Sequence, residues 1–121
     1  MIDKEVLDRA VAFHGHLCPG LLIGVRTAMV AQRYFGDGRS VDEELFCIAE
    51  NHACGIDALQ LLLGTTAGKG NLFFREHGKQ AVTVGSRQSG KAIRISFKRQ
   101  GYMSRSEKGD RLMSLDDQNP F

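Results

Sequence analysis

Phe13-His14-Gly15-His16-Leu17-Cys18-Pro19-Gly20 packs two imidazoles, a thiol, two glycines and a proline into one short stretch. It also marks the junction between two predicted helices. Upstream, Val6, Leu7, Ala10, Val11 and His14 recur on one face at helical spacing, and Asp3 is a suitable N-cap, so a first helix is predicted from Asp3 to about His14. Gly15 breaks it. Cys18-Pro19 opens a second helix, with proline at the first position, where its missing N–H has no bond to lose. Leu21, Leu22, Val25, Ala28, Met29 and Gln32 form its apolar stripe, and Gly36 ends it ahead of the loop Gly36-Asp37-Gly38.

Further along, Leu45-Phe46-Cys47-Ile48-Ala49 is a short apolar run bounded by Glu44 and Glu50 and reads as a buried strand. Asn51 is positioned to cap a third helix, running to about Leu63 with Ile56, Leu59, Leu62 and Leu63 inward, and Gly64 stops it. Three more strands are predicted over 71–75, 80–86 and 92–98, the last two joined by a turn at Gln88-Ser89-Gly90-Lys91. Helices first and hairpin-connected strands after predict an α+β fold, with helices packed on one face of an antiparallel or mixed sheet. Residues 1–98 form the predicted domain. Residues 99–121 read as a polar C-terminal tail, either disordered or exchanged between subunits.

A chain of 121 residues suits one domain with one core. A net charge of +2, with Lys and Arg dispersed and no array of aromatics beside them, excludes a nucleic-acid-binding surface from the expectations. No apolar run approaches the length of a membrane span. The acidic, amphipathic Met1-Ile2-Asp3-Lys4-Glu5 is unlike a signal peptide. Three cysteines cannot all pair, so a reducing cytoplasm with free thiols is expected rather than a disulfide framework.

The chemistry centres on two thiols at two helix starts. Cys18 precedes Pro19, and Cys54 falls in the first turn if Asn51 caps the third helix. Helix N-termini are electropositive and favour thiolates, which is the form a metal needs. His16 lies two residues from Cys18 across a bendable glycine. His16, Cys18 and Cys54 therefore make a mixed nitrogen and sulfur set suited to zinc first, with nickel or iron as alternatives. Three ligands leave a fourth position for water or a small-molecule ligand. His14 is either a fourth ligand or a neighbour of the site. Asp57, one turn past Cys54 on the same face, is placed to hold an imidazole or to act as a general base, and Asp57 and His14 are the candidate catalytic residues. Asn51 and Lys69 are candidates for holding a ligand or cofactor. Cys47, mid-strand between Phe46 and Ile48, reads as core. Gly64-Thr65-Thr66-Ala67-Gly68-Lys69-Gly70 lacks the spacing and the Lys-Ser/Thr ending of a phosphate loop.

His14-Gly15-His16-Leu17-Cys18-Pro19-Gly20, with Gly24-Val25-Arg26, Glu50-Asn51, Cys54-Gly55-Ile56-Asp57-Ala58, Gly64-Thr65-Thr66-Ala67-Gly68-Lys69-Gly70-Asn71-Leu72 and Gly78-Lys79-Gln80-Ala81, resembles the FmdE family, named for a component of formylmethanofuran dehydrogenase. The motifs run in order from about Phe13 to Phe97. The resemblance implies an α+β domain, a homodimer with exchange between subunits, and a metal site at His16, Cys18 and Cys54 with His14 and Asp57 close by. The enzyme complex that gives the family its name reduces carbon dioxide onto methanofuran at a molybdenum or tungsten pterin on other subunits, so such subunits are candidate partners. Many members carry a C-terminal zinc ribbon. No cysteine follows Cys54 here, so none is expected. Three functions compete at this stage: a metal-dependent protein with an open site for a small ligand or substrate, a non-catalytic accessory subunit or metallochaperone, and a thiol redox protein using Cys18 and Cys54.

Overall fold

A computed structural model describes residues 2–36 and 39–97. The predicted loop at Asp37-Gly38 and the tail at 99–121 lie outside the described residues. Helix α1 (Lys4–His14) is capped by Asp3, whose carboxylate accepts from the Glu5 N–H at 2.8 Å, and it ends on Gly15 at φ 115°. That left-handed conformation favours glycine, and it turns the chain straight back toward α2 (Pro19–Phe35). Cys18 is the N-cap of α2, its Sγ accepting from the Leu21 N–H at 3.4 Å. Helix α2 is buried on every side from Leu21 to Ala28, wider than the stripe that periodicity alone predicts.

Strand β1 (Leu45–Ala49) leads into α3 (Gly55–Leu63), then β2 (Leu72–Phe74), β3 (Ala81–Ser86) and β4 (Ala92–Ser96). The sheet order is β2-β1-β3-β4, with β1 and β2 parallel and the other pairs antiparallel, so the sheet is mixed. A parallel pair needs a crossover, and α3 supplies it. The turn between β3 and β4 falls where the sequence places it. One sheet face, formed by Cys47, Ala49, Leu72, Val82, Val84 and Ile95, joins Leu21, Leu22, Val25, Leu59 and Leu63 of the helices in a single apolar core. On the other face Phe46, Ile48 and Thr83 are half-buried and Phe73 is exposed.

The third helix starts later than predicted. Asn51 does not cap it. Its Oδ1 accepts from the Ala53 N–H at 2.9 Å, closing an Asx turn, and Cys54 takes the N-cap position with no side-chain cap bond. The competing local hydrogen bond wins because the short Asn side chain reaches a donor two residues on before any helical donor is available.

Helices α2 and α3 meet backbone to backbone. A Cβ placed at Gly24 would lie 2.3 Å from the Gly55 carbonyl oxygen and 2.4 Å from its Cα. The glycine-rich loop after α3 is tied by Asn71, which is fully buried. Its amide donates to the carbonyls of Asp42, Leu45 and Gly64 at 2.9–3.1 Å, and its Oδ1 accepts from the Thr66 N–H. At the end of β1, Glu50 is gripped by Arg94 through Nε (2.8 Å) and Nη2 (3.0 Å).

Two outcomes follow from this packing. Gly24→Ala forces a methyl into the Gly55 backbone and should cost about 1–3 kcal/mol, read by denaturant unfolding, whereas Gly68→Ala, with no atom within 4 Å of the added Cβ, should not. The Arg94 guanidinium holds the Glu50 carboxyl below its ordinary value. A depressed carboxyl contributes stability above its unfolded value and loses it as pH falls through the folded one. The stability gap between wild type and Glu50→Gln should therefore be full at neutral pH and close on acidification below the ordinary carboxylate range. A gap independent of pH would contradict the pairing.

Candidate metal centre

The contact between Gly24 and Gly55 sets α2 and α3 so that their first residues lie side by side. Cys18 and Cys54, the two N-caps, come together there, and the turn through Gly15 folds His14 and His16 onto them. One ligand atom from each of His14, His16, Cys18 and Cys54 falls within a group no wider than 4.8 Å. The two imidazole rings stand 4.6 Å apart and tilted. Gly20 leaves the room: a Cβ there would be 3.4 Å from Cys54 Cβ and 4.0 Å from both sulfurs. Tetrahedral zinc bonds of about 2.0–2.3 Å place donors roughly 3.3–3.8 Å apart, so modest rotamer adjustment closes the group on an ion.

His14 Nδ1 meets Asp57 Oδ2 at 2.6 Å. The His14 side chain is 12% exposed, and its other nitrogen, Nε2, is buried with no hydrogen-bond partner. With the proton assigned to Nδ1 and donated to Asp57, Nε2 carries an unused lone pair, the arrangement of a metal-ligating histidine whose far side is held by a carboxylate. Asp57 Oδ1 also accepts from Gln60 Nε2 at 3.1 Å, which fixes the carboxylate on α3.

The thiols depart from the helix-start expectation. Burial first, then the hydrogen bond and the charge of Cys18, push the Cys54 thiol up from its ordinary value. The helix-dipole argument treated each sulfur alone, and at this spacing a second thiolate opposes the first more than the dipole favours it. A cation between them removes that opposition. Cys47 is core, its thiol pushed up to about 12 by burial.

A cleft of about 350 Å³ opens beside the group, lined by His14, Cys54, Asp57, His52 and Phe74. His52 stacks on Phe74 with ring centroids 4.0 Å apart and pairs with Glu76. These wall residues escaped sequence reasoning. The available signal was Phe73-Phe74 in a three-residue strand, where alternation sends one ring to each face. Asn51 and Lys69 are placed elsewhere. Asn51 lines a separate cavity of about 20 Å³ between α2, α3 and β3 and donates to the Lys79 carbonyl. Lys69 gives its ammonium to the carbonyls of Ser40 and Val41.

Residues 13–119 match the profile of a family described as FmdE, molybdenum formylmethanofuran dehydrogenase operon. A curated relative, a probable S-adenosyl-L-methionine-binding protein of Archaeoglobus fulgidus, is 35% identical over 95 residues. That match takes in 75% of this chain and 26% of the relative, so the chain spans about a quarter of that protein's length. Among solved structures, an FmdE-like protein of tungsten formylmethanofuran dehydrogenase from Syntrophus aciditrophicus superposes with a TM-score of 0.59 at 22% identity, covering 84% of this chain and 76% of that one. The latter likeness is one of fold.

The burial contrast is directly measurable. In metal-free native protein, iodoacetamide should modify Cys18 and Cys54 and spare Cys47, as read by peptide mass spectrometry. Labelling of Cys47 at the rate of the other two would contradict its core placement.

Proposed function

The chain belongs to the FmdE family, and on that premise we propose that it is a small metal-binding protein whose zinc-type ion is held by His14, His16, Cys18 and Cys54. It works in the cytoplasm as a homodimer, alongside a molybdenum or tungsten enzyme of the formylmethanofuran dehydrogenase kind. The observation that carries the ligand set is the buried, unpartnered Nε2 of His14, turned out by the bond from Nδ1 to Asp57. Two nitrogens and two sulfurs form a donor set that zinc accepts readily, with nickel or iron as alternatives.

A bound ion supplies Lewis acidity to any group that reaches it. The remaining work belongs to the chain. Asp57 fixes the His14 tautomer and its 35%-exposed carboxylate also faces the cleft, where it can hold or pass a proton at Oδ2. Phe74 and His52 wall the cleft and exclude water from one side. With four protein donors engaged, the site favours an accessory or metal-delivering role. A second reading rests on the cleft itself. Because His14 lines it, His14 can yield its place to a small ligand, which opens the site and gives His14 and Asp57 proton-moving roles.

Protein purified without added metal should carry about one zinc, nickel or iron per chain, and Cys54→Ala should lose it. Asp57→Asn keeps all four donors and should weaken metal affinity roughly 10–100-fold in a chelator competition. X-ray absorption at the metal edge should return two sulfur and two nitrogen neighbours. One nitrogen replaced by a light exchangeable ligand would favour the open site. A metal-free wild type with both thiols titrating freely would sink the proposal.

A further inference from the structure

Arg26 is the one charged residue in the buried run Leu21–Ala28 of α2, and it is 4% exposed. Its Nε and Nη2 are both buried, and neither has a hydrogen-bond partner. These two nitrogens share one edge of the guanidinium. Their N–H bonds run parallel and form the fork that grips both oxygens of a carboxylate. The same protein shows the fork filled: Arg94 presents the same two atoms to the two oxygens of Glu50 at 2.8 and 3.0 Å. Arg26 is the unfilled counterpart.

Its place on the helix separates it from the metal centre. Two residues past Gly24, it sits about 200° around α2, on the side turned away from the contact with Gly55 on α3. Leu22, Met29 and Val30, its neighbours at helical spacing, offer no side-chain acceptor. A buried guanidinium without a counter-charge or acceptors is among the costliest arrangements in a fold, and such groups are normally found paired. One carboxylate both fills the fork and cancels the charge, whereas a phosphate dianion would leave an excess negative charge buried.

We propose that Arg26 is a carboxylate-binding site, closed by a carboxylate that comes either from a small ligand or from an acidic side chain of a second copy of this chain. The recognition chemistry is the same for both sources: two parallel charge-assisted hydrogen bonds to the Nε–Nη2 edge.

The test uses the full chain labelled with nitrogen-15. The arginine Nε–H resonance that disappears in Arg26→Lys identifies the group. Acetate is added in one arm, and protein concentration is raised in the other. Phosphate at matched ionic strength is the control. If a small carboxylate is the source, acetate should move this resonance saturably and slow its solvent exchange by roughly tenfold or more, the worth of a charge-assisted hydrogen bond. If a second copy is the source, the same change should track protein concentration, or already be present in a dimer that Arg26→Met dissociates in sedimentation. A resonance that stays exchangeable and unmoved in both arms overturns the proposal, whatever the stability of the variants. An equal response to phosphate overturns the preference for carboxylate. Arg26→Met melting higher than wild type, with no change in assembly, would mark Arg26 as an orphan charge and count against the site.

Discussion

The structure depends on one close approach, the backbone of Gly24 against the backbone of Gly55. No side chain fits between α2 and α3 at that point. Two helices in contact at their own backbones cannot slide or rotate past each other without losing that fit. The position of each helix start is therefore fixed relative to the other. Cys18 and Cys54 are those starts, and their juxtaposition is a consequence of the packing rather than of any bond between them. Gly15 then decides where the two histidines fall, because its left-handed turn sends the chain from α1 back across the head of α2.

Within that frame the charges explain one another. Two sulfurs held close resist joint ionisation, as the raised Cys54 thiol records. Asp57 stands behind His14 as a negative partner and orients the imidazole with its free nitrogen buried. A cluster that is uncomfortable for protons and short of positive charge is chemically matched to a divalent ion. The cleft at its side is a different kind of surface. It is bounded by the flat faces of Phe74 and His52, and it connects the donor group to solvent.

Local chemistry made much of this legible in advance. Asp3, Gly15 and Cys18-Pro19 announce the ends of α1 and α2 in the sequence itself, and the apolar spacing of Ile56, Leu59, Leu62 and Leu63 announces α3. The spacing that puts Asp57 a turn beyond Cys54 is a property of any helix. What could not be read depends on distant partners. Nothing near Gly24 says that Gly55 will press against it. Nothing in Leu72-Phe73-Phe74 says that the strand will run parallel to β1. Asn51 carries two rival uses, helix cap and Asx turn, and only the fold chooses between them. Arg26 looks like an ordinary helical surface residue until α2 is seen to be buried all round.

Asn71 has a further meaning for the lifetime of the protein. Its side-chain amide donates to three carbonyl oxygens from three separate segments. Hydrolysis of that amide, the usual chemical ageing of asparagine, replaces the donor with a carboxylate of nearly identical shape. The new group would face the same three oxygens with a negative charge and no hydrogen to offer. Burial keeps water from the amide, so the fold protects a residue whose slow chemistry would undo the loop. Long-term integrity of this region is therefore governed by how often the loop opens, a kinetic property, rather than by the strength of the closed contacts.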